Sequence, residues 1–263
     1  VDGQRWWAST GVTLYGNDLP QNVCAGQRWA MTLRLRPVHG ELNDGGYDAQ
    51  RSALAQHQTL SGRFTHAERV DGRCSLRAQY LMSLQKRLSA YQWGAVILGL
   101  GMGERLDVPR EIKDLMRETG TLHLMAISGL HIVLAASIVW LLARGFQFLL
   151  PAHQIRWQMP LLAGLAFAAF YAWLTGLQPP AMRTVIALAV LATLRITARQ
   201  WSPWQVWFCC IAAILLSDPL AVLSQSLALS AFAVAALIFW FQWLPLPHWH
   251  RARRIRSEEH TSE

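Results

Sequence analysis

Between residues 121 and 250 the chain carries six charged side chains, Arg144, Arg156, Arg183, Arg195, Arg199 and Asp218. A water-soluble fold of that length cannot be so apolar, because its outer surface must still meet water. A bilayer removes that requirement. Residues 1–120 are different, with 15 Lys/Arg and 12 Asp/Glu. The chain therefore divides into a polar N-terminal part and an apolar membrane part. The net charge of +8 is modest, and much of it flanks the apolar part. Membrane orientation accounts for that charge as readily as nucleic-acid binding does.

Five apolar windows lie in the second part: Leu122–Ala143, Met159–Gly176, Ala181–Thr197, Pro203–Ser217 and Val222–Leu244. Each is close to the ~20 residues a helix needs to cross the hydrocarbon, the fourth being the shortest. Trp140, Trp157, Trp173, Trp201, Trp204, Trp240 and Trp243 stand near window ends, as interfacial anchors do. The first loop has Arg144 and Arg156, and the third has Arg195 and Arg199. The second has no base before Arg183. The fourth has none and carries Asp218, and the tail has Arg251, Arg253, Arg254 and Arg256. The positive-inside rule then puts the first loop, the third loop and the tail in the cytoplasm and the N-terminal part outside. The expected architecture is an α-helical polytopic membrane domain over 121–250, preceded by a small β domain.

That β domain is expected over residues 1–80. Arg5–Tyr15 and Arg28–Arg36 read as strands, the second alternating strictly from Met31 to Pro37, and Leu60–Glu68 reads as a third. Turns fall at Asn17-Asp18, Gly45-Gly46 and Asp71-Gly72. Short strands around one small core fit a compact OB-like β-barrel, although periodicity alone also allows other small β-folds. Tyr47–Gln58 fits an inserted helix. Arg28, Trp29, Arg34 and Arg36 are candidates for holding single-stranded nucleic acid, cations on phosphates and the indole under a base. A solvated strand face is the competing reading, since residues 1–80 hold nine Arg against seven acids. Cys24 and Cys74 are either free thiols or, in an oxidising compartment, a disulfide. Cys209 and Cys210 lie in a membrane window and are expected only to pack.

Residues 81–120 read as amphipathic connecting helices. Leu81, Leu84 and Leu88 share a face, with Lys86 and Arg87 on the other side. Trp93–Met102 is too short to span and suits the interface. Pro109–Glu118 reads as a further helix with proline in its first turn and Gly120 to end it. Because the chain opens on Val1 without a leader, sequence upstream is expected to be missing. Residues 257–263, Ser-Glu-Glu-His-Thr-Ser-Glu, have no hydrophobic logic and read as a non-native tail.

The segment His123-Leu124-Met125-Ala126-Ile127-Ser128-Gly129-Leu130-His131 carries a long and specific pattern. It resembles the signature of the ComEC family of competence proteins. Thr119-Gly120 precedes it, and Tyr171, Gly176, Pro179 and Arg183 follow in the family's order. Asp218-Pro219 and Leu227-Ala228-Leu229-Ser230 match later motifs. Upstream, Gly26-Gln27-Arg28-Trp29 and the stretch Leu33–Asp48 resemble the family's OB-like domain. The resemblance covers roughly residues 5–245. Leu227 stands where the family usually has Phe, and Thr184 where Ala often follows the arginine.

The resemblance implies an inner-membrane, multi-pass channel that imports single-stranded DNA during natural transformation, working with the lipid bilayer and other competence proteins. It implies a periplasmic N-terminal domain and a cytoplasmic tail. The family's metallo-β-lactamase-like domain is expected to lie outside this chain, which has no His-x-His-x-Asp run. No cofactor and no catalytic residue are expected.

His123, Ser128 and His131 are polar groups in an apolar window, and such groups face a bundle interior or an aqueous path. Gly129 would let a neighbouring helix come close, or mark a helix break. Interhelical hydrogen bonding is the competing role, and the resemblance favours a channel motif of His123, Ser128, Gly129, His131 and Arg183. Arg183 either snorkels or meets phosphates arriving from outside. Metal binding is not expected, because no Cys, Asp or Glu accompanies the histidines. Two other functions stay open: a membrane-embedded hydrolase with Ser128 as nucleophile and a histidine as base, and a non-functional truncated scaffold.

Overall fold

A computed structural model describes residues 11–15, 23–40, 46, 48–104, 108–121, 128–149, 151, 156–197 and 201–243. His123, Asn17 and residues 257–263 lie outside the described residues.

Three strands form a mixed sheet in the order β1-β3-β2. They are β1 (Val12–Tyr15), β2 (Arg28–Pro37) and β3 (Leu60–Asp71). β1 runs parallel to β3, with Tyr15 opposite Arg63. β2 runs antiparallel to β3, with Arg34 opposite Arg63 and Arg36 opposite Ser61. The strict alternation in β2 shows as exposed and half-buried residues in turn, the pattern of a sheet with one covered face. Gly62 on β3 is required by sterics, because a Cβ there would meet the Arg34 carbonyl oxygen and the Leu35 side chain on β2. A helix, α1 (Ala49–Ala55), connects β2 to β3, with Asp48 capping it through a 2.9 Å bond from the Arg51 amide. A disulfide joins Cys24 to Cys74, with Cα atoms 5.7 Å apart.

The connecting helices are α2 (Leu76–Leu88), α3 (Gly94–Met102) and α4 (Arg110–Glu118). Two of them are tied to the helical domain. Arg77 Nε donates to the Leu174 carbonyl at 2.7 Å, and Tyr171 Oη donates to the Gly101 carbonyl at 3.1 Å.

Five apolar helices follow: α5 (Gly129–Gln147), α6 (Gln158–Leu174), α7 (Pro179–Ile196), α8 (Pro203–Ser217) and α9 (Gln225–Trp243). A 3-10 turn, Pro219–Leu223, joins the last two. α5, α7 and α9 have 19, 18 and 19 residues and are long and apolar enough to cross a membrane; α6 and α8 are shorter. Their cores are built from small residues. Ile132, Ala136, Ala168, Ala172 and Ala181 form one buried cluster, with Tyr171, Val185 and Leu188 against it. Ile214, Ala221 and Leu227 form a second. Gly164 lets α6 approach α5, since a Cβ there would lie 3.1 Å from the Ala136 carbonyl oxygen. This is how helices associate in lipid, where close backbone packing replaces a hydrophobic drive. The large side chains point the other way: Leu134, Leu142, Phe146, Phe208, Phe232 and Phe241 are all exposed. Hydrocarbon, not water, suits that surface. The chain is a membrane protein, a helical domain preceded by a small β domain.

Candidate functional site

Within the signature, the described residues start at Ser128, which is extended at φ −90° and ψ 161° and caps α5. His131 occupies the third helical position and folds back over the cap. The Ser128 amide donates to His131 Nδ1 at 3.2 Å, and the Ser128 hydroxyl lies 2.9 Å from the same nitrogen. An amide N–H only donates, so Nδ1 is an acceptor and the neutral ring carries its proton on Nε2. The pair forms a capping box in which imidazole replaces the usual Glu or Gln. Ser128, Gly129 and His131 are all half-buried. The helix begins at Gly129, so Ser128 and His131 sit at the end of a span rather than inside the window drawn from Leu122 to Ala143.

Gly129 brings this end of α5 against α7. A Cβ on Gly129 would collide with Thr184 Oγ1, which donates to the Pro180 carbonyl at 3.0 Å. Thr184 registered in the sequence only as a departure from the family pattern, and its neighbour is Arg183. Loop geometry upstream sets where α7 starts. Gly176 turns left-handed at φ +88° and Leu177 at φ +53°, and Pro179-Pro180 then open the helix.

Arg183 does not reach straight into solvent. Its Nη1 donates to Ser226 Oγ at 2.9 Å and its Nη2 to Ser224 Oγ at 3.0 Å. Both partners are neutral hydroxyls, Ser224 just before α9 and Ser226 in its first turn. Asp218 stands across the same cavity, bonded to His57 Nε2 at 3.1 Å and to the Leu220 amide at 3.1 Å. His57 belongs to the β domain, as does Arg51, whose Nε donates to the Leu223 carbonyl at 2.9 Å. The β domain therefore docks through α1 onto the 3-10 turn. Sequence reading missed His57, Arg51, Ser224 and Ser226, because their partners lie 161 and 172 residues away for the first two and 41 and 43 for the serines, too far to leave a local signal.

The nucleic-acid candidates are only partly brought together. Arg28, Arg34 and Arg36 are exposed on one face of β2, whereas Trp29 alternates to the other face, is half-buried, and donates its indole N–H to Gln27 Oε1 at 3.2 Å. The expected pairing of Trp29 with the arginines is corrected on that ground: residues one apart in a strand point to opposite sides. The aromatic that shares the arginine face is Tyr15, in register with Arg63 and, through it, with Arg34. Among the described residues no cluster of three His, Cys, Asp or Glu could hold a metal.

The model of the competence-protein family matches residues 100–261. The chain is 62% identical over 257 residues to "Uncharacterized protein YcaI" of Escherichia coli K12, covering 98% of this chain and 34% of that one. It is 34% identical to "Recombination protein 2" of Haemophilus influenzae, over 82% of this chain and 28% of the relative. It is 35% identical to "Competence protein ComA" of Neisseria gonorrhoeae, over 81% and 32%. The chain thus spans about a third of the length of these relatives, and no solved structure matches it. The family model covers more than half of the chain, across the signature, the Arg183 region and the apolar helices, and the chain belongs to the ComEC family of competence proteins.

Proposed function

We propose that this chain is part of a multi-pass inner-membrane channel that carries single-stranded DNA from periplasm to cytoplasm during natural transformation. One observation supports the reading: the contact of Gly129 with Thr184, the next residue after Arg183, puts the Ser128–His131 cap and Arg183 at the same end of the helix bundle. That is the end on which the β domain docks. By loop charge it is the outer end, so a strand arriving from outside meets the Arg183 cation and its two serine hydroxyls before the apolar bundle. Charged and polar groups in spans mark such paths. Two relatives are named for recombination and competence, which agrees with a role in DNA uptake.

Two His131 substitutions test it. Gln at the third helical position keeps a capping box, so His131→Gln should preserve the fold. His131→Leu leaves the cap without its partner. If the imidazole takes part in passage, both variants lose uptake of labelled DNA while remaining in the membrane. Normal uptake with His131→Gln would reduce the residue to a cap.

A second reading draws on the 2.9 Å Ser128–His131 contact, which has nucleophile–base geometry. Among the described residues no carboxylate bonds the ring to orient it, and the transport reading is preferred. Labelling of Ser128 by a fluorophosphonate would reverse that order.

A further inference from the structure

Two cavities flank α1. The first, about 470 Å³, lies on the arginine face of the sheet and is lined by Thr13, Tyr15, Arg36 and Ser61 among others. The second, about 810 Å³, lies between α1 and the ends of the apolar helices and is lined by Arg51, His57, Arg183, Asp218, Ser224 and Ser226 among others. They meet at shared residues: Ser52, Gln56 and Gln58 line both. The dividing wall is thus polar and uncharged. Gln58 accepts from the Thr13 hydroxyl at 3.2 Å, and Gln56 donates to Ser52 Oγ at 3.3 Å.

Charge along this line favours an anion. Tyr15, Arg63 and Arg34 form one row across the three strands, and Thr13, Ser61 and Arg36 form the next on the same face. Tyr15 is 62% exposed, a ring available to stack on a base. Arg51 and Arg183 follow in the second cavity. The two acids there are engaged locally: Asp48 accepts from the Arg51 amide as the cap of α1, and Asp218 accepts from the Leu220 amide and bonds His57.

We infer that the two cavities form one route for a single-stranded polyanion, which lies across Tyr15, Arg34, Arg63 and Arg36, passes Gln56 and Gln58, and reaches Arg183 at the start of α7. This deepens the transport reading and rests on it. A row of cations with one stacking ring, followed by neutral amides, holds a backbone without reading its sequence, as single-strand sites do. The docking of α1 on the 3-10 turn aligns the two halves.

The test is photo-crosslinking in membranes bearing the protein, with a labelled oligothymidylate as probe. A benzophenone amino acid replaces Gln56 or, separately, Ser52, and Met82 on α2, exposed and outside both cavities, is the control. The route requires crosslinks at Gln56 and Ser52 and not at Met82. Yield should fall several-fold with Arg36→Gln and with Arg183→Gln, and fall with added salt. An intact Cys24–Cys74 bond reports that each variant is folded. Equal labelling at all three positions would mean diffuse electrostatic binding and would overturn the route. So would DNA uptake that continues with no crosslink at Gln56 or Ser52, and the transport reading would then stand without it. Specific crosslinks in a protein that imports no DNA would keep the route and discard the transport reading.

Discussion

The space a Cβ would need on Gly129 is already held by Thr184 Oγ1, so at the start of the signature helix the backbone of α5 rests directly on the Thr184 side chain of α7. Gly129→Ala forces the helices apart or the Thr184 rotamer off its bond to Pro180. Overpacking of this kind costs about 1–3 kcal/mol. The double variant Gly129→Ala/Thr184→Ala removes the colliding hydroxyl and should recover most of the loss. Thermal unfolding in detergent measures both. A single Gly129→Ala as stable as the parent would show that the two helices do not meet there.

Arg183 holds two hydroxyls with two different nitrogens. A lysine is a point charge without that fork. Arg183→Lys should therefore keep the charge and lose the bridge to the start of α9. Ser224→Ala/Ser226→Ala removes the bridge and leaves the guanidinium. We expect about 1 kcal/mol from the lost bonds in either case. Comparing their uptake separates charge from geometry: an active lysine variant means that charge suffices, and an inactive one means that the fork positions the group.

The Cys24–Cys74 bond closes the β domain across 50 residues of sequence. It ties the turn before β2 to the segment that leads into α2. Constraining the unfolded chain over such a loop is worth ~2–4 kcal/mol. Peptide mapping without reductant should find the Cys24–Cys74 pair, with Cys209 and Cys210 free. Reduction should lower the unfolding temperature of the β domain. Two free thiols at Cys24 and Cys74 in protein from native membranes would contradict the pairing.

What the sequence made legible was local. The alternation in Arg28–Arg36, the last four charge-poor windows and Pro109 mark elements that form within a few residues of where the pattern places them. The start of α5 was not legible, because Ser-x-x-His does not look like a capping box until the imidazole is seen folding back on Ser128. The binding face was half legible. The arginines of β2 follow from alternation, but Tyr15 joins them only through its pairing with β3, and pairing is a non-local choice. The docking of His57 on Asp218 and of Arg51 on Leu223 spans most of the chain, and no periodicity reports it.

Five crossings and three crossings make different predictions at Trp201. Only α5, α7 and α9 reach full spanning length. α6 has 17 residues and α8 has 15, roughly 25 Å and 22 Å at 1.5 Å per residue, against a hydrocarbon core of ~30 Å. A modest shortfall is met by local thinning and by interfacial anchors, and Trp157 and Trp201 stand before these two helices. The positive-inside rule asks for the same two crossings. Arg144 stands in the last turn of α5, Arg156 lies between α5 and α6, and Arg195 stands in the last turn of α7. Both places fall on one side only if α6 traverses. We therefore expect five crossings, with the β domain outside. In a background with Cys209 and Cys210 replaced by serine, single cysteines are placed at Glu68, Pro151 and Trp201. An impermeant maleimide on intact spheroplasts should label the first and spare the other two, which react only after permeabilisation. Labelling of Trp201→Cys from outside while Pro151→Cys stays protected would mean three crossings. It would also move Arg195 to the outer face, against the charge rule. Labelling of Pro151→Cys with protection of Glu68→Cys would invert the whole assignment and put the Arg183 end in the cytoplasm.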